Sequence, residues 1–350
     1  MHDIKIGNHI IGQGHKPFVI AEMSGNHNQS IERAKEIIKA AADTGAHAIK
    51  LQTYTPDTLT INIKKGLFYI NDEKSLWHGQ TLYDLYKVAY TPWEWHAELF
   101  EYALSKNIIA FSSPFDETAV DFLENLNVPA YKIASFENNH LPLLRKVAET
   151  GKPVVVSTGL STVAGIYEAV TTLREAGCKD LILLKCTSSY PSSPANSNLL
   201  TIPHMRELFG CHVGLSDHTM GIGVPLAAVA LGAVVVEKHF TLRRADGGVD
   251  SIFSLEPEEL KALVVESERG FQGLGRVSYD ILESEKSSLR FKRSVYIVED
   301  VKEGETFTEK NVRIIRPGDG LHPRYLPDIL QRNASRAIEK GTPSSWDIIK

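Results

Sequence analysis

Only three cysteines occur in the 350 residues, Cys178, Cys186 and Cys211, and none belongs to a CxxC pair. An odd count without such a pair argues against a disulfide framework and a thiolate zinc site and favours buried reduced thiols. No stretch approaches the roughly 18 consecutive apolar residues of a membrane span. The opening MHDIKIGNHIIGQGHKP also lacks a basic segment leading into an apolar core. Both absences point to a cytoplasmic protein with no membrane partner. A surplus of positive charge is missing too: 38 basic against 43 acidic residues give a net −5, with no basic stripe. Nothing therefore anticipates the phosphate backbone of a nucleic acid, and an anionic ligand must be met by local groups.

What is present is an alternation. Short β-branched runs, eight in number, end in polar residues: FVIAE (18–22), AIKLQT (48–53), IIAFSS (108–113), AYKIAS (130–135), PVVVST (153–158), LILLKCT (181–187), HVGLSD (212–217) and VVVEKHF (234–240). Between them lie segments such as IERAKEIIKAAADTG and VAGIYEAVTTLREAG, apolar at three- and four-residue spacing and closed by glycine, the pattern of amphipathic helices. Repeated βα units build a parallel sheet, and eight of them predict a TIM (β/α)8 barrel. Periodicity does not reveal closure, so a doubly wound open sheet stays as the alternative, although no GxGxxG follows the first run.

Two segments depart from the repeat. From about Tyr54 to Thr91 the chain is long and aromatic, with WHGQTLYDLYKVAYTPWEWH at its far end, and we expect it to fold over the barrel mouth. After about Gly273 the composition turns charged and small, and short strand-like pieces follow: RSVYIV, ETFTEKNVRIIRP and SRAIEKG. The expected domains are a barrel over residues 1–284 and a small unit over 285–350.

Chemistry belongs at the C-terminal ends of barrel strands, which converge on one face. Glu22 and Asn26 in EMSGNHN suit acid–base work or the positioning of a metal-bound water; the other reading is a capping loop in which Asn28 or Ser30 starts the next helix. Lys50 and Lys132 interrupt apolar strands, and a buried ammonium needs a counter-charge. An anionic ligand would supply it, as would an internal ion pair with a carboxylate such as Glu137; a Schiff-base role is a third reading. Ser112, Ser113, Ser135, Ser157 and Ser216 can each donate a hydroxyl to a phosphate or carboxylate, or simply cap. His218 and His239 fall at adjacent strand ends one βα unit apart. Two neutral imidazoles there suit a divalent ion such as manganese, with open positions for water and substrate, against a reading as two unrelated histidines. His96 and His204 read as helix-surface residues.

IAEMSGNHN, KLQTY, SSPFD, YKIASFE, STGL, KCTSSYP, GLSDHT and EKHFTL occur in this order. Together they resemble the motif series of the sialic acid synthases, a TIM-barrel family ending in a small antifreeze-like (SAF) domain. The resemblance covers roughly residues 15–350, and RSVYIVEDVKEGETFTEKNVRIIRPGDGL is similar to that terminal domain. It implies an enzyme that condenses phosphoenolpyruvate with an amino-sugar aldehyde. His218 and His239 would then ligate Mn²⁺, or Mg²⁺ or Co²⁺ in its place, with Glu22 beside the metal. Lys50, Ser113, Lys132, Ser135, Ser157, Lys185 and Ser216 would hold phosphoenolpyruvate, and Glu137, Tyr190, Asp250 and Arg316 the sugar. Asn26 and Gln52 join the substrate-binding candidates; Glu22, Lys50, Lys132 and Glu137 are the catalytic ones.

The WHGQ to WEWH segment resembles that of the family's pseudaminic-acid-forming members rather than its N-acetylneuraminate-forming ones. Ser188 stands where the latter usually carry Asn, implying a different acceptor sugar. His140 occupies a place where Asp or a small polar residue is expected. The resemblance also implies a domain-swapped homodimer, the small unit completing a partner's site through Arg316. The rival readings are a class II aldolase, another phosphoenolpyruvate-dependent synthase, or a non-catalytic carbohydrate-binding barrel.

Overall fold

The computed structural model describes residues 1–73 and 75–350, and the chain divides into two compact units, Met1–Gly275 and Arg276–Lys350. The first opens with an antiparallel hairpin, β1 (Ile4–Ile6) and β2 (His9–Ile11). Eight strands follow: β3 (Phe18–Glu22), β4 (Ala48–Thr53), β5 (Ile109–Pro114), β6 (Tyr131–Ile133), β7 (Val154–Ser157), β8 (Leu181–Cys186), β9 (His212–Asp217) and β10 (Val235–His239). They pair in parallel, each with its sequence neighbour, and β10 closes on β3. The expected TIM barrel is thus the fold, and the open sheet is excluded.

Alternation along the strands sorts the core into two layers. Phe18, Ile20, Ala48, Phe111, Val155, Ile182 and Leu184 fill the barrel interior in one buried cluster with Ile4, Ile6 and Ile11. The hairpin therefore plugs the end where the strands begin. The opposite parity, Val19, Ala21, Ile49, Leu51 and Val236, faces outward against Ile37, Ile38, Leu99 and Leu263 of the surrounding helices, the burial of each Val, Ile or Leu being worth about 1.5–3 kcal/mol. Local signals start and stop those helices. Ser30 caps Ile31–Asp43 by accepting from the Arg33 backbone N–H at 3.2 Å, and Gly45 beyond its end takes φ +83°. Asn28 instead donates its amide to the Gly247 carbonyl at 3.3 Å.

The aromatic segment after β4 does fold over the mouth, carrying the helices Pro56–Leu59 and Leu82–Ala89. Trp93 Nε1 donates to the Tyr54 carbonyl at 3.1 Å and so ties the segment's two ends together. His96 corrects a sequence expectation. It is fully buried rather than on a helix surface: Nδ1 donates to the Pro92 carbonyl (3.1 Å), and Nε2 pairs with Thr53 Oγ1 (2.8 Å). Burial holds its pKa at about 4, so it is a neutral strut under the lid. His204 is exposed, as expected.

In the second unit β11 (Ser294–Ile297) pairs antiparallel with β12 (Val312–Ile315), around a core of Val295, Ile297, Phe307, Val312, Ile329 and Ile348. SRAIEKG forms no third strand; it contributes an isolated bridge, Val301 to Ile338. The expected 284/285 boundary falls between the last barrel helix, Pro257–Leu274, and β11. Among the described residues no helix is long and apolar enough to cross a membrane. All three cysteines are free and buried.

Candidate active site

Interior-facing residues run from apolar at the hairpin end to polar at the mouth. Glu22 follows Ile20, Lys50 and Gln52 follow Ala48, Lys132 follows Ala130, Ser157 follows Val155, and Glu237 and His239 follow Val235. The parity that packs the barrel thus also loads its open end with charge. Lys50 Nζ lies 2.5 Å from Glu22 Oε2 and 3.0 Å from Glu237 Oε2; Lys132 Nζ lies 3.5 Å from Glu237 Oε1. Lys132 also donates to Ser157 Oγ at 2.7 Å, and Ser216 Oγ donates to Glu237 Oε1 at 3.1 Å. None of the four charged side chains is more than 5% exposed.

Two ammoniums and two carboxylates cancel, which makes their joint burial tolerable. Burial favours a protonated Glu237, but Lys132 and Lys50 outweigh it and hold the carboxyl at about 2. Burial draws Lys50 down to about 7, with Glu237 opposing and Lys132 assisting. The lysines are therefore internally paired, but with Glu237 and Glu22. Glu137, the carboxylate suggested from the sequence, makes no ion pair among the described residues. Burial raises it to about 7 against the pull of Lys132, and its Oε2 has no hydrogen-bond partner.

His218 and His239 stand side by side, ring centroids 5.3 Å apart. His218 Nδ1 donates to the Thr187 carbonyl at 2.9 Å; burial opposes protonation of the ring, but a hydrogen bond with the Cys186 side chain outweighs it and raises its pKa above the ordinary imidazole value. His239 is pulled well below the ordinary imidazole pKa by burial, then by the charges of its neighbours, and is neutral. Its Nδ1 is buried without a hydrogen-bond partner, and Asp250 Oδ2 lies 3.7 Å away. Two imidazoles side by side, one with an orphaned nitrogen, fit a divalent ion by donor type. Among the described residues no third His, Cys, Asp or Glu is placed to complete a ligand set, so an ion held here would need substrate or water oxygens for its remaining positions.

These groups line one cavity of about 400 Å³ at the strand ends. Of the sequence candidates, Glu22, Lys50, Gln52, Lys132, Ser135, Glu137, Ser157, Tyr190, Ser216, His218, His239 and Asp250 form its wall. Gln52 Nε2 donates to Ser24 Oγ (3.2 Å) and Glu22 Oε1 (3.3 Å), and Ser24 in turn donates to Asp250. Tyr190 packs its ring 4.4 Å from that of His218.

Asn26, Ser113 and Lys185 are not in the wall. Asn26 is buried behind it, donating to the Phe240 carbonyl (3.0 Å) and Ser254 Oγ (2.9 Å). Ser113 is buried with its hydroxyl unpartnered. Lys185 has the parity opposite to Leu184, and its Nζ turns to the Cys186 carbonyl and Thr187 Oγ1. Arg316 follows β12 in the second unit. His140 precedes the helix Leu141–Glu149, its Nε2 3.8 Å from Glu117 Oε1. Sequence reading missed Glu237, although it shares a strand face with His239. It also missed Ser24 and Cys186, and although it expected the 54–91 segment over the mouth it did not single out Leu59, Ile70, Trp77, Leu82 and Leu85, which form the apolar side of the cavity.

A closed βα barrel that gathers two lysines, two carboxylates and two imidazoles around one cavity at its strand ends has the architecture of a barrel enzyme. Residues 37–279 match the NeuB family and residues 292–349 match a SAF domain. The chain belongs to the NeuB family. It is 45% identical to a pseudaminic acid synthase of Campylobacter jejuni, over 93% of this chain and 94% of that one. A pseudaminic acid synthase of Helicobacter pylori is 42% identical over 95% and 98%. The crystal structure of a sialic acid synthetase from Leptospira borgpetersenii, in complex with citrate, superposes with a TM-score of 0.72 at 34% identity, covering 82% of this chain and 95% of that one.

Proposed function

We propose that the chain condenses phosphoenolpyruvate with 2,4-diacetamido-2,4,6-trideoxy-L-altrose and water, giving pseudaminic acid and phosphate. The observation that carries this reading is the buried Lys50–Glu237–Lys132 cluster beside paired imidazoles, in a chain alike over nearly its whole length to synthases of that name. Lys50 and Lys132 hold the phosphate and carboxylate of phosphoenolpyruvate, exchanging part of their contact with Glu237 and Glu22 for the substrate's oxygens. Ser135, Ser157 and Ser216 donate hydroxyls to the same groups, and Ser113 and Lys185 belong to this binding set behind the wall. Glu137, Tyr190, Asp250 and Arg316 orient the open-chain sugar, with Asn26 and Gln52 supporting the turn that carries Ser24.

His218 and His239 are the residues that would hold a divalent ion, Mn²⁺ in our reading, which when bound supplies Lewis-acid polarisation of the sugar aldehyde. In the reaction C3 of phosphoenolpyruvate forms the new bond to the aldehyde carbon, and water adds at C2. The C2–O bond to phosphate then breaks, so a label in the bridging oxygen leaves with phosphate. Glu22, held by Lys50, accepts a proton from the attacking water. The ammoniums of Lys50 and Lys132 stabilise the departing phosphate.

We further propose that two chains pair with their small units exchanged, Arg316 of one meeting the sugar of the other. Mixing an Arg316→Ala chain with a His239→Ala chain then restores activity, and no recovery after verified subunit exchange removes the crossed arrangement.

Phosphate release from phosphoenolpyruvate, measured against a panel of mono- and diacetamido hexoses, tests the whole reading. The 2,4-diacetamido-6-deoxy altrose is expected to be used best. Preference for N-acetylmannosamine or a legionaminic acid precursor would reassign the acceptor, and absence of release with every aldehyde would favour a sugar-binding barrel.

A further inference from the structure

Strand parity places a second ion pair directly behind the two histidines. In the β9–β10 ladder Ser216 faces Glu237 and Asp217 faces Lys238. The Ser216–Glu237 pair points into the barrel and is bonded there. Asp217 and Lys238, one residue on, point outward, and His218 and His239, one residue further, line the cavity. Lys238 has no solvent-exposed surface and Asp217 is 4% exposed. Lys238 Nζ donates to Asp217 Oδ2 at 2.9 Å and to the Thr219 carbonyl. Asp217 also accepts from the Thr219 backbone N–H (3.2 Å, Oδ1) and from Thr219 Oγ1 (2.8 Å, Oδ2). The residues on both sides of His218 are thus tied to the residue preceding His239.

We propose that Lys238, with Asp217 and Thr219, is a positioning clamp that sets the spacing of the two histidines for a divalent ion. This rests on the reading of His218 and His239 as metal-holding residues. A fully buried ammonium is expensive, and stability alone does not require one, because apolar residues of similar volume usually serve as well or better. What an apolar pair lacks is direction. Lys238 makes two hydrogen bonds at defined angles, one to a side chain and one to the backbone of the loop that carries His218. His218 itself is further fixed by the Thr187 carbonyl on Nδ1 and by Ser192 N–H on its own carbonyl at 2.9 Å. The His239 carbonyl accepts from Leu255 N–H at 2.8 Å. Each imidazole therefore has its own anchors, and the clamp adds to the β9–β10 ladder a buried side-chain link between the segments that carry them.

The test replaces the pair by apolar residues, Asp217→Leu with Lys238→Met, in the full chain, with folding verified by circular dichroism. Mn²⁺ affinity is read by electron paramagnetic resonance, and phosphoenolpyruvate affinity by calorimetry on metal-free protein. Loss of groups that orient metal ligands costs about 10–100-fold in metal affinity. We expect a weakening in that range with phosphoenolpyruvate binding within about twofold of the parent. Thr219→Val keeps the ion pair and removes only the hydroxyl link; it should weaken Mn²⁺ binding less, and it decides the matter if the double variant does not fold. Unchanged Mn²⁺ affinity in a folded variant overturns the clamp, as does a parallel loss of phosphoenolpyruvate affinity, which would mark a general structural role. A parent chain that binds no Mn²⁺ overturns the metal reading and the clamp with it.

Discussion

The floor and the lid of the cavity are made of opposite materials. The floor comes from strands: Glu22, Lys50, Lys132, Glu237 and His239, all held by the barrel ladder and nearly free of solvent. The lid comes from one long connection and offers Leu59, Ile70, Trp77, Leu82 and Leu85. Strand-borne groups cannot move without breaking the ladder, which suits groups that stabilise developing charge, since pre-set dipoles and charges need no reorganisation during reaction. A loop-borne apolar wall can be exchanged without touching that machinery, which suits selection of one sugar over another. The comparison predicts that floor changes destroy turnover or folding, whereas lid changes shift preference.

Removing the metal should have the largest effect. His239→Ala or exhaustive chelation is expected to lower turnover by roughly 10³-fold or more, because Lewis-acid polarisation is worth several kcal/mol. Added Mn²⁺ should restore the chelated parent and not the variant. Full activity in metal-free protein would take the histidines out of the reaction. Next comes Glu237→Gln, which leaves two buried ammoniums short of a counter-charge. Breaking a buried pair from one side costs about 3–5 kcal/mol, so the denaturation midpoint should fall steeply. An unchanged midpoint would mean that Glu237 does not bind the floor together.

Trp77 lets the lid side of the comparison be sharpened. Its Nε1 donates to the Val249 carbonyl at 3.1 Å, next to Asp250, and its ring lies 6.1 Å from that of Tyr190. Trp77→Ala should raise KM for the acceptor about 10- to 100-fold, the range of about 1–3 kcal/mol typical of a lost apolar contact. KM for phosphoenolpyruvate should stay as it was. Equal losses for both substrates would show that the lid acts on the floor as well.

The same division explains what could be read in advance. All eight strands were legible because β-branched runs and helical periods alternate cleanly, and the observed strands begin and end close to those runs. The lysines and histidines were legible as single charged letters in apolar strands. Glu237 was not, because EKHF reads as one polar cluster until period two separates it into an inner Glu237 and His239 and an outer Lys238. His96 was misread for a related reason: its burial comes from Thr53 and Phe122, far away in sequence, and no local pattern announces them. The lid as a segment was legible from its length and aromatic content, but its apolar residues carry no strand period, and only the fold shows which of them face the site.

The smallest effect concerns Glu137, which sits where floor and lid meet and shares properties of both. Its folded pKa is raised from an ordinary glutamate value of 4.5 to about 7, chiefly by burial. At low pH the folded and unfolded chains both carry the proton, and the group costs nothing. As pH climbs from about 4.5 the unfolded chain releases its proton first, so the folded state loses relative stability until about pH 7, beyond which the penalty is constant. Glu137→Gln removes the titration. The variant should therefore match the parent near pH 5 and exceed it at pH 8 by on the order of 1–3 kcal/mol, because each pH unit separating the two ionisations is worth about 1.36 kcal/mol. Guanidinium denaturation of both chains at the two pH values measures the difference directly. A stability gap of the same size at pH 5 and pH 8 would mean that the Glu137 carboxyl ionises normally in the folded chain, and would place it with the solvated lid edge rather than with the floor.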